Sequence, residues 1–340
     1  MRRFLAAAVT LAAATSVGWA CARTGVPLGW LLGAMLVMIA ASLLRLPARQ
    51  PVLLMPWVKG AVGAMLGAAI PSGLLAALGQ WGGSLAIMAA LMVASGMVNY
   101  RLLQRAFGFP KADAALCAMP GGISEMVLFG EQAGADQARV AIVHALRIAL
   151  SILLIPVIAG WVFGVEVRKS GTLAPVIMTV PDWIWFAACV GAGVVAQRWR
   201  ALPAPLILVP LALSATVHLT GLSHFHVPGY VSGLVQVMIG INVGARFIGV
   251  TPRALAGVAT AAASVIGVQM GLAILAAVVL SRVSNWDALA LTLAYAPGGL
   301  AEMSLIAITM GREVAFVVFH HILRVLFALI FAPVVLRRLA

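Results

Sequence analysis

Apolar residues fill the chain in runs long enough to cross a bilayer core, which takes about 20 helical residues. Such runs lie near 4–20, 28–44, 58–78, 82–100, 138–164, 183–197, 203–221, 232–250, 254–281 and 314–336, and they predict ten spanning helices. Two further apolar stretches, 112–130 and 287–310, are each interrupted by Pro-Gly-Gly and each carry a glutamate. They are of another kind. Segment 165–182 opens with Glu166, Arg168 and Lys169 and then offers too few apolar residues to span, so it reads as a connection between halves. The amino terminus, Arg2-Arg3 ahead of an apolar stretch, has the outline of a signal peptide. The spans behind it favour an uncleaved first helix.

The halves follow from an internal repeat. Shifting the sequence by 177 residues lays Pro120-Gly121-Gly122-Ile123-Ser124-Glu125-Met126 on Pro297-Gly298-Gly299-Leu300-Ala301-Glu302-Met303. Without a gap, Gly134 then meets Gly311, Asp136 meets Glu313, His144 meets His321, Arg147 meets Arg324 and Pro156 meets Pro333. The same shift lays Gly63 and Gly67 on Gly240 and Gly244, a small-xxx-small pair in each half that lets helices approach closely. Charged residues, His and Pro are scarce here, so composition alone does not produce the coincidence.

Composition then removes the soluble classes: 63% of the residues are hydrophobic and 9% charged, against roughly 25% charged in a soluble domain. A net charge of +13 would suggest nucleic acid in a soluble protein. Here the basic residues lie in short loops between apolar runs, as the positive-inside rule requires, so the bilayer is the partner and nucleic acid is not. Cys21, Cys117 and Cys189 are far apart and form no metal-ligand pattern, so neither a disulfide framework nor a metal or other cofactor is expected.

The expected fold is an all-α polytopic membrane protein of two homologous halves, residues 1–164 and 183–340, joined by 165–182. Each half has five spanning helices and one Pro-Gly-Gly segment. If those segments re-enter, each half crosses an odd number of times and the second is inverted. That arrangement, with both termini cytoplasmic, puts more Lys and Arg inside than a parallel twelve-span alternative does.

Candidate chemistry gathers at the repeat. Proline removes a backbone donor and two glycines favour unwinding, so a helix should break at Pro120-Gly121-Gly122 and at Pro297-Gly298-Gly299. Irregular backbone at membrane depth is tolerated only inside protein or beside water, so a break implies a cavity that half-helix ends face. A plain kink is the alternative. Glu125 and Glu302 fall on the first turn after each break, where a helix N-terminus stabilises a carboxylate; they either bind a proton or cation or cap their own helices. His144 with Arg147, and His321 with Arg324, share a helix face at i, i+3. Two glutamates and two arginines sum to zero charge, so charge pairing is expected, either as a packing latch or as part of a solute site.

With its duplicated P-G-G-x-x-E-M motif, the chain resembles the AbrB-duplication family of bacterial inner-membrane proteins over nearly its whole length. Members carry the labels AbrB-family regulator and ammonia monooxygenase. The resemblance implies an inner-membrane location and, through the first label, a part in regulating gene expression. Nothing in the chain resembles the small soluble DNA-binding domain that shares the name.

The leading functional expectation is a non-enzymatic secondary transporter moving a small solute coupled to protons or another cation, with a homo-oligomer left open. It would use Gly121, Gly122, Glu125, His144, Arg147, Gly298, Gly299, Glu302, His321 and Arg324, and no catalytic residue. A membrane-embedded regulator acting through a partner is the second. A metal-dependent monooxygenase is the third, but it needs three or more converging ligands, for which His218, His224 and His226 are thin material.

Overall fold

The structure, a computed structural model, describes residues 2–26, 28–164, 177–199, 202 and 204–339. Residues 165–176 of the expected connecting segment, with Glu166, Arg168 and Lys169, lie outside them. Regular structure among the described residues is helical throughout, as hydrocarbon requires of a chain that must satisfy its own backbone. In chain order the helices are α1 (Arg2–Arg23), α2 (Gly29–Leu43), α3 (Met55–Ala68), α4 (Leu74–Gln80), α5 (Gly82–Phe107), α6 (Lys111–Ala118), α7 (Ile123–Gln132) and α8 (Gln137–Trp161). There follow α9 (Val180–Ala196), α10 (Pro205–Leu219), α11 (Gly229–Gly244), α12 (Pro252–Val283), α13 (Ala288–Tyr295), α14 (Leu300–Thr309) and α15 (Val314–Leu339).

Five helices, α1, α5, α8, α12 and α15, are long and apolar enough to cross a membrane. The other expected spans are shorter: α2, α3, α9, α10 and α11 have 15, 14, 17, 15 and 16 residues. At 1.5 Å per residue these reach about 21–26 Å, less than the roughly 30 Å hydrocarbon core. The expected span 58–78 divides because Pro71 has no N–H to continue the ladder and Ser72-Gly73 follows it, so α3 stops at Ala68 and α4 starts at Leu74.

The chain folds into two compact units, and neither is a sequence half. The first takes residues 1–74, 165–249 and 304–315, and within it α3 packs on α10 and α2 on α11. Glycines make these pairings possible. A Cβ added at Gly63 or Gly67 would fall under 3.0 Å from the Ile207 or Leu211 carbonyl oxygen of α10, and one at Gly240 or Gly244 under 3.0 Å from that of Leu31 or Met35 of α2. Ser214 Oγ donates to Ala64 O across the α3–α10 contact at 2.8 Å, and Gln50 Nε2 donates to Asn242 Oδ1 at 2.9 Å. Ala14, Ala34, Met38, Val237 and Ile241 form the adjoining apolar core.

The second unit takes residues 75–164, 250–303 and 316–340. Its long helix α12 packs on α5, α8 and α13 around Leu103, Leu116, Met126, Val143 and Val265. It also holds both Pro-Gly-Gly segments. Around the two breaks helix bounds recur at the shift of 177: α6 and α13 at 111–118 and 288–295, α7 and α14 at 123–132 and 300–309, and α8 and α15 starting at 137 and 314. Gly134 and Gly311 stand just past the ends of α7 and α14 with φ of 65° and 62°, a left-handed stop that glycine adopts without strain. Asp136 then caps α8 by accepting from Arg139 N at 3.0 Å.

Candidate functional site

Each Pro-Gly-Gly ends one short helix and starts another. Helix α6 runs out at Met119, the backbone is extended through Gly122 (φ −74°, ψ 152°), and α7 begins; α13 passes into α14 the same way through Ala296 (φ −58°, ψ 141°). Gly121 N donates back to Met119 O at 3.0 Å and Gly298 N to Ala296 O at 2.8 Å, a tight turn centred on each proline. A helix that stops in an apolar interior leaves its last carbonyls to be satisfied by something else.

The H-x-x-R pair of the next long helix supplies that something. His144 Nε2 pairs with Leu116 O at 3.0 Å, while Arg147 Nη1 donates to Met119 O at 2.8 Å and Nη2 to Gly121 O at 2.5 Å. In the second copy His321 Nε2 pairs with Leu293 O at 2.9 Å, and Arg324 Nη1 and Nη2 donate to Ala296 O and Gly298 O. The i, i+3 spacing thus sets imidazole and guanidinium along the carbonyl end of the broken helix, and the rigid fork of arginine fixes two acceptors at once in a geometry that the ammonium of lysine does not hold. A guanidinium also complements the negative end of the helix dipole. Counting glutamates and arginines does not anticipate this bracket on backbone carbonyls. Arg324 still lies within electrostatic range of both Arg147 and Glu302.

On the other side of each break the carboxylate folds back over its own helix start. A Cβ on Gly122 would collide with Glu125 Oε2, one on Gly299 with Glu302 Oε2, and one on Gly121 or Gly298 with the side chain of Met126 or Met303. The methionine covers the first glycine and the tip of the glutamate covers the second. Glu302 is buried and Glu125 half-buried.

Pro120 and Pro297, one from each break, line the same cavity of about 20 Å³, together with Ser95, Gln269, Tyr295 and Arg324. Such a volume holds about one water. Ser151, one turn beyond Arg147 on α8, donates to Arg147 O at 2.7 Å and to Pro297 O at 3.3 Å, tying the first-copy helix to the second-copy break. Gln269 Nε2 reaches Ala118 O at 3.3 Å. A larger cavity of about 270 Å³ with apolar walls, among them Met97, Phe327 and Phe331, also reaches Met119 and Pro120.

The remaining histidines divide. His218 has both ring nitrogens on carbonyls, Nδ1 with Ser214 O at 2.8 Å and Nε2 with Phe225 O at 3.0 Å, so it closes the loop after α10. No three His, Cys, Asp or Glu side chains converge as metal ligands among the described residues. His320 belongs to a separate buried network.

Residues 30–340 match the profile of the AbrB family, described as transition state regulatory protein AbrB. The chain belongs to the AbrB family. It is also 27% identical over 361 residues to the uncharacterized protein YhjN of Bacillus subtilis strain 168, covering 95% of this chain and 90% of that one. Sequence reasoning had found in this AbrB-family chain both breaks and both H-x-x-R pairs. It missed Ser95, Ser151, Gln269 and Tyr295, since single polar residues in Ala- and Leu-rich helices form no pattern. The only cue to Gln269 is that it is the one amide within the 32-residue helix α12.

Proposed function

We propose that this AbrB-family protein is an inverted-repeat secondary transporter of the bacterial inner membrane, its termini cytoplasmic, moving a small solute coupled to protons or another cation. The reading rests on one observation: two broken helices, each with a bracketed carbonyl end and a glutamate-bearing start, bring their prolines to one cavity. Half-helix ends carry partial charges of both signs, and such ends at mid-membrane are how transporters hold solutes and ions. Glu125 and Glu302 would take up the proton or cation. Gly121, Gly122, Gly298 and Gly299 would let the backbone approach the solute. Arg147 and Arg324, with His144 and His321, would hold the half-helices in register, leaving the charge of the guanidinium for an anionic group.

The recurrence of helix bounds at 177 residues supports an ancient duplication. A cavity for about one water must open to admit a solute, and that opening is the step the cation would control. The reading needs no cofactor, catalytic residue or nucleic acid.

The test is thermal stabilisation of the purified protein by a panel of small acids, amines and neutral metabolites, beside Glu125→Gln and Glu302→Gln. A binder at one hundred times its Kd stabilises by about 2.7 kcal/mol. The expected result is a solute that raises the melting temperature of the wild type and not of the variants. If no solute shifts the wild type while both variants fold normally, transport loses its support. The regulatory description of the family would then favour the second reading, an output delivered through a partner protein, which crosslinking in whole cells would look for.

A further inference from the structure

A second polar cluster lies in the unit that holds the breaks, and the repeat does not account for it. Ser84 on the first turn of α5, Tyr295 at the end of α13 and His320 on α15 are all buried. Ser84 Oγ stands 2.7 Å from Tyr295 Oη and 2.9 Å from His320 Nε2. His320 Nδ1 is 2.8 Å from Phe316 O, and Tyr295 Oη is also 3.1 Å from Ser84 O. Shifted by 177 residues, these three positions fall on Ala261, Ala118 and Val143, so the cluster exists once.

The carbonyl of Phe316 only accepts, so Nδ1 carries a hydrogen and Nε2 of the neutral ring is the acceptor. Tyr295 then donates to Ser84 Oγ, and Ser84 donates to His320. The same atoms suit the charged ring equally well. With a hydrogen on Nε2, His320 donates to Ser84 Oγ, Ser84 donates to Tyr295 Oη, and Tyr295 turns its hydroxyl to Ser84 O. Every donor keeps an acceptor in both states, and the otherwise redundant contact between Tyr295 and Ser84 O is what completes the second. A cluster that served packing alone would need one arrangement only. Tyr295 is also among the residues that line the cavity where Pro120 and Pro297 meet.

We propose that Tyr295, Ser84 and His320 form a proton-holding relay fed from that cavity. Tyr295 Oη receives a proton from water or solute there and passes its own to Ser84 Oγ. Ser84 passes its own to His320 Nε2, leaving both hydroxyls whole and the ring an imidazolium. The groups facing His320 are Ser84 from α5, Tyr295 from α13, and the rings of Trp81 and Phe316 at 6.3 and 4.0 Å. On its own helix stand His321 and, a turn along, Arg324, with Glu302 in range of the latter. As the seat of the coupling proton the relay rests on the transport reading; as a proton site it stands apart from it.

The experiment is a pH series from about 4 to 8 on the full-length protein, with ¹⁵N-histidine, in lipid nanodiscs. Spectra of wild type, His320→Gln, Tyr295→Phe and Ser84→Ala are compared. The signal absent from His320→Gln should change from the Nδ1–H tautomer to the doubly protonated ring as pH falls. Its midpoint should drop by about one unit or more, a tenfold loss of proton affinity, in Tyr295→Phe. If His320→Gln does not fold, the shift in Tyr295→Phe or Ser84→Ala assigns the signal instead. A His320 that keeps one tautomer across the range, or a midpoint indifferent to Tyr295 and Ser84, overturns the relay. No solute enters this measurement, so a titrating His320 in a protein that binds no solute keeps the relay and removes transport. The reverse result keeps transport and removes the relay.

Discussion

Arg324 is buried, and both terminal nitrogens of its guanidinium are on carbonyls that a helix break has freed. Removing one partner of a buried hydrogen bond costs about 1–3 kcal/mol, more when charge is involved. Arg324→Lys keeps the charge and loses the fork, so it should destabilise by about 1–3 kcal/mol, and Arg324→Met by more. Thermal unfolding in detergent measures both. Arg147→Lys should follow with the same sign, because its Nη1 and Nη2 meet the equivalent carbonyls of the first copy. Equal stability of Arg324→Lys and wild type would mean that the bracket is not what holds the break.

At the scale of elements, the close α3–α10 contact has no room for a side chain at Gly67, where a Cβ would meet backbone as well as Ser214 Cβ. Gly67→Ala should therefore destabilise by about 1–3 kcal/mol. Gly160→Ala in α8, which meets nothing within 4 Å, should be neutral or slightly stabilising. At the start of α9 the capping carboxylate of Asp182 is held below its usual range by hydrogen bonds from the Ser223 and Thr179 hydroxyls and the Thr179 amide. Since its folded value is the lower one, its stabilisation is complete above the unfolded value and lost as pH falls through the folded one. The melting temperature should then fall at pH below about 4, and less steeply in Asp182→Asn. The breaks were legible because charge is rare in this chain and Pro-Gly-Gly with a following glutamate occurs twice at one offset, whereas the stops at Gly134 and Gly311 were read from the sequence only as an aligned pair of glycines. The ends of α3 and α10 were not, since hydropathy runs on through residues where the hydrogen-bond ladder does not. The carbonyl partners of Arg147 were hidden too: charge arithmetic counts carboxylates, while these carbonyls are left as acceptors because the helix stops.

For the whole molecule, each compact unit draws on both ends of the chain: α2 and α3 find their closest partners in α11 and α10, and α8 finds its own in α12. Neither residues 1–164 nor 183–340 should fold alone. Each half, expressed separately, is expected to be degraded or to aggregate, and the two co-expressed should assemble into a species of wild-type size by size-exclusion chromatography. A stable, monodisperse half would contradict the interleaving. The same pairing sets a schedule for synthesis. Ser214, which closes the α3–α10 contact on Ala64, is made 150 residues after it. At about 5–20 residues per second, the glycine face of α3 waits on the order of ten to thirty seconds for its partner. Through that interval a helix too short for the bilayer must be sheltered by the insertion machinery or by lipid, so slow translation between Ala64 and Ser214 should expose it to proteolysis.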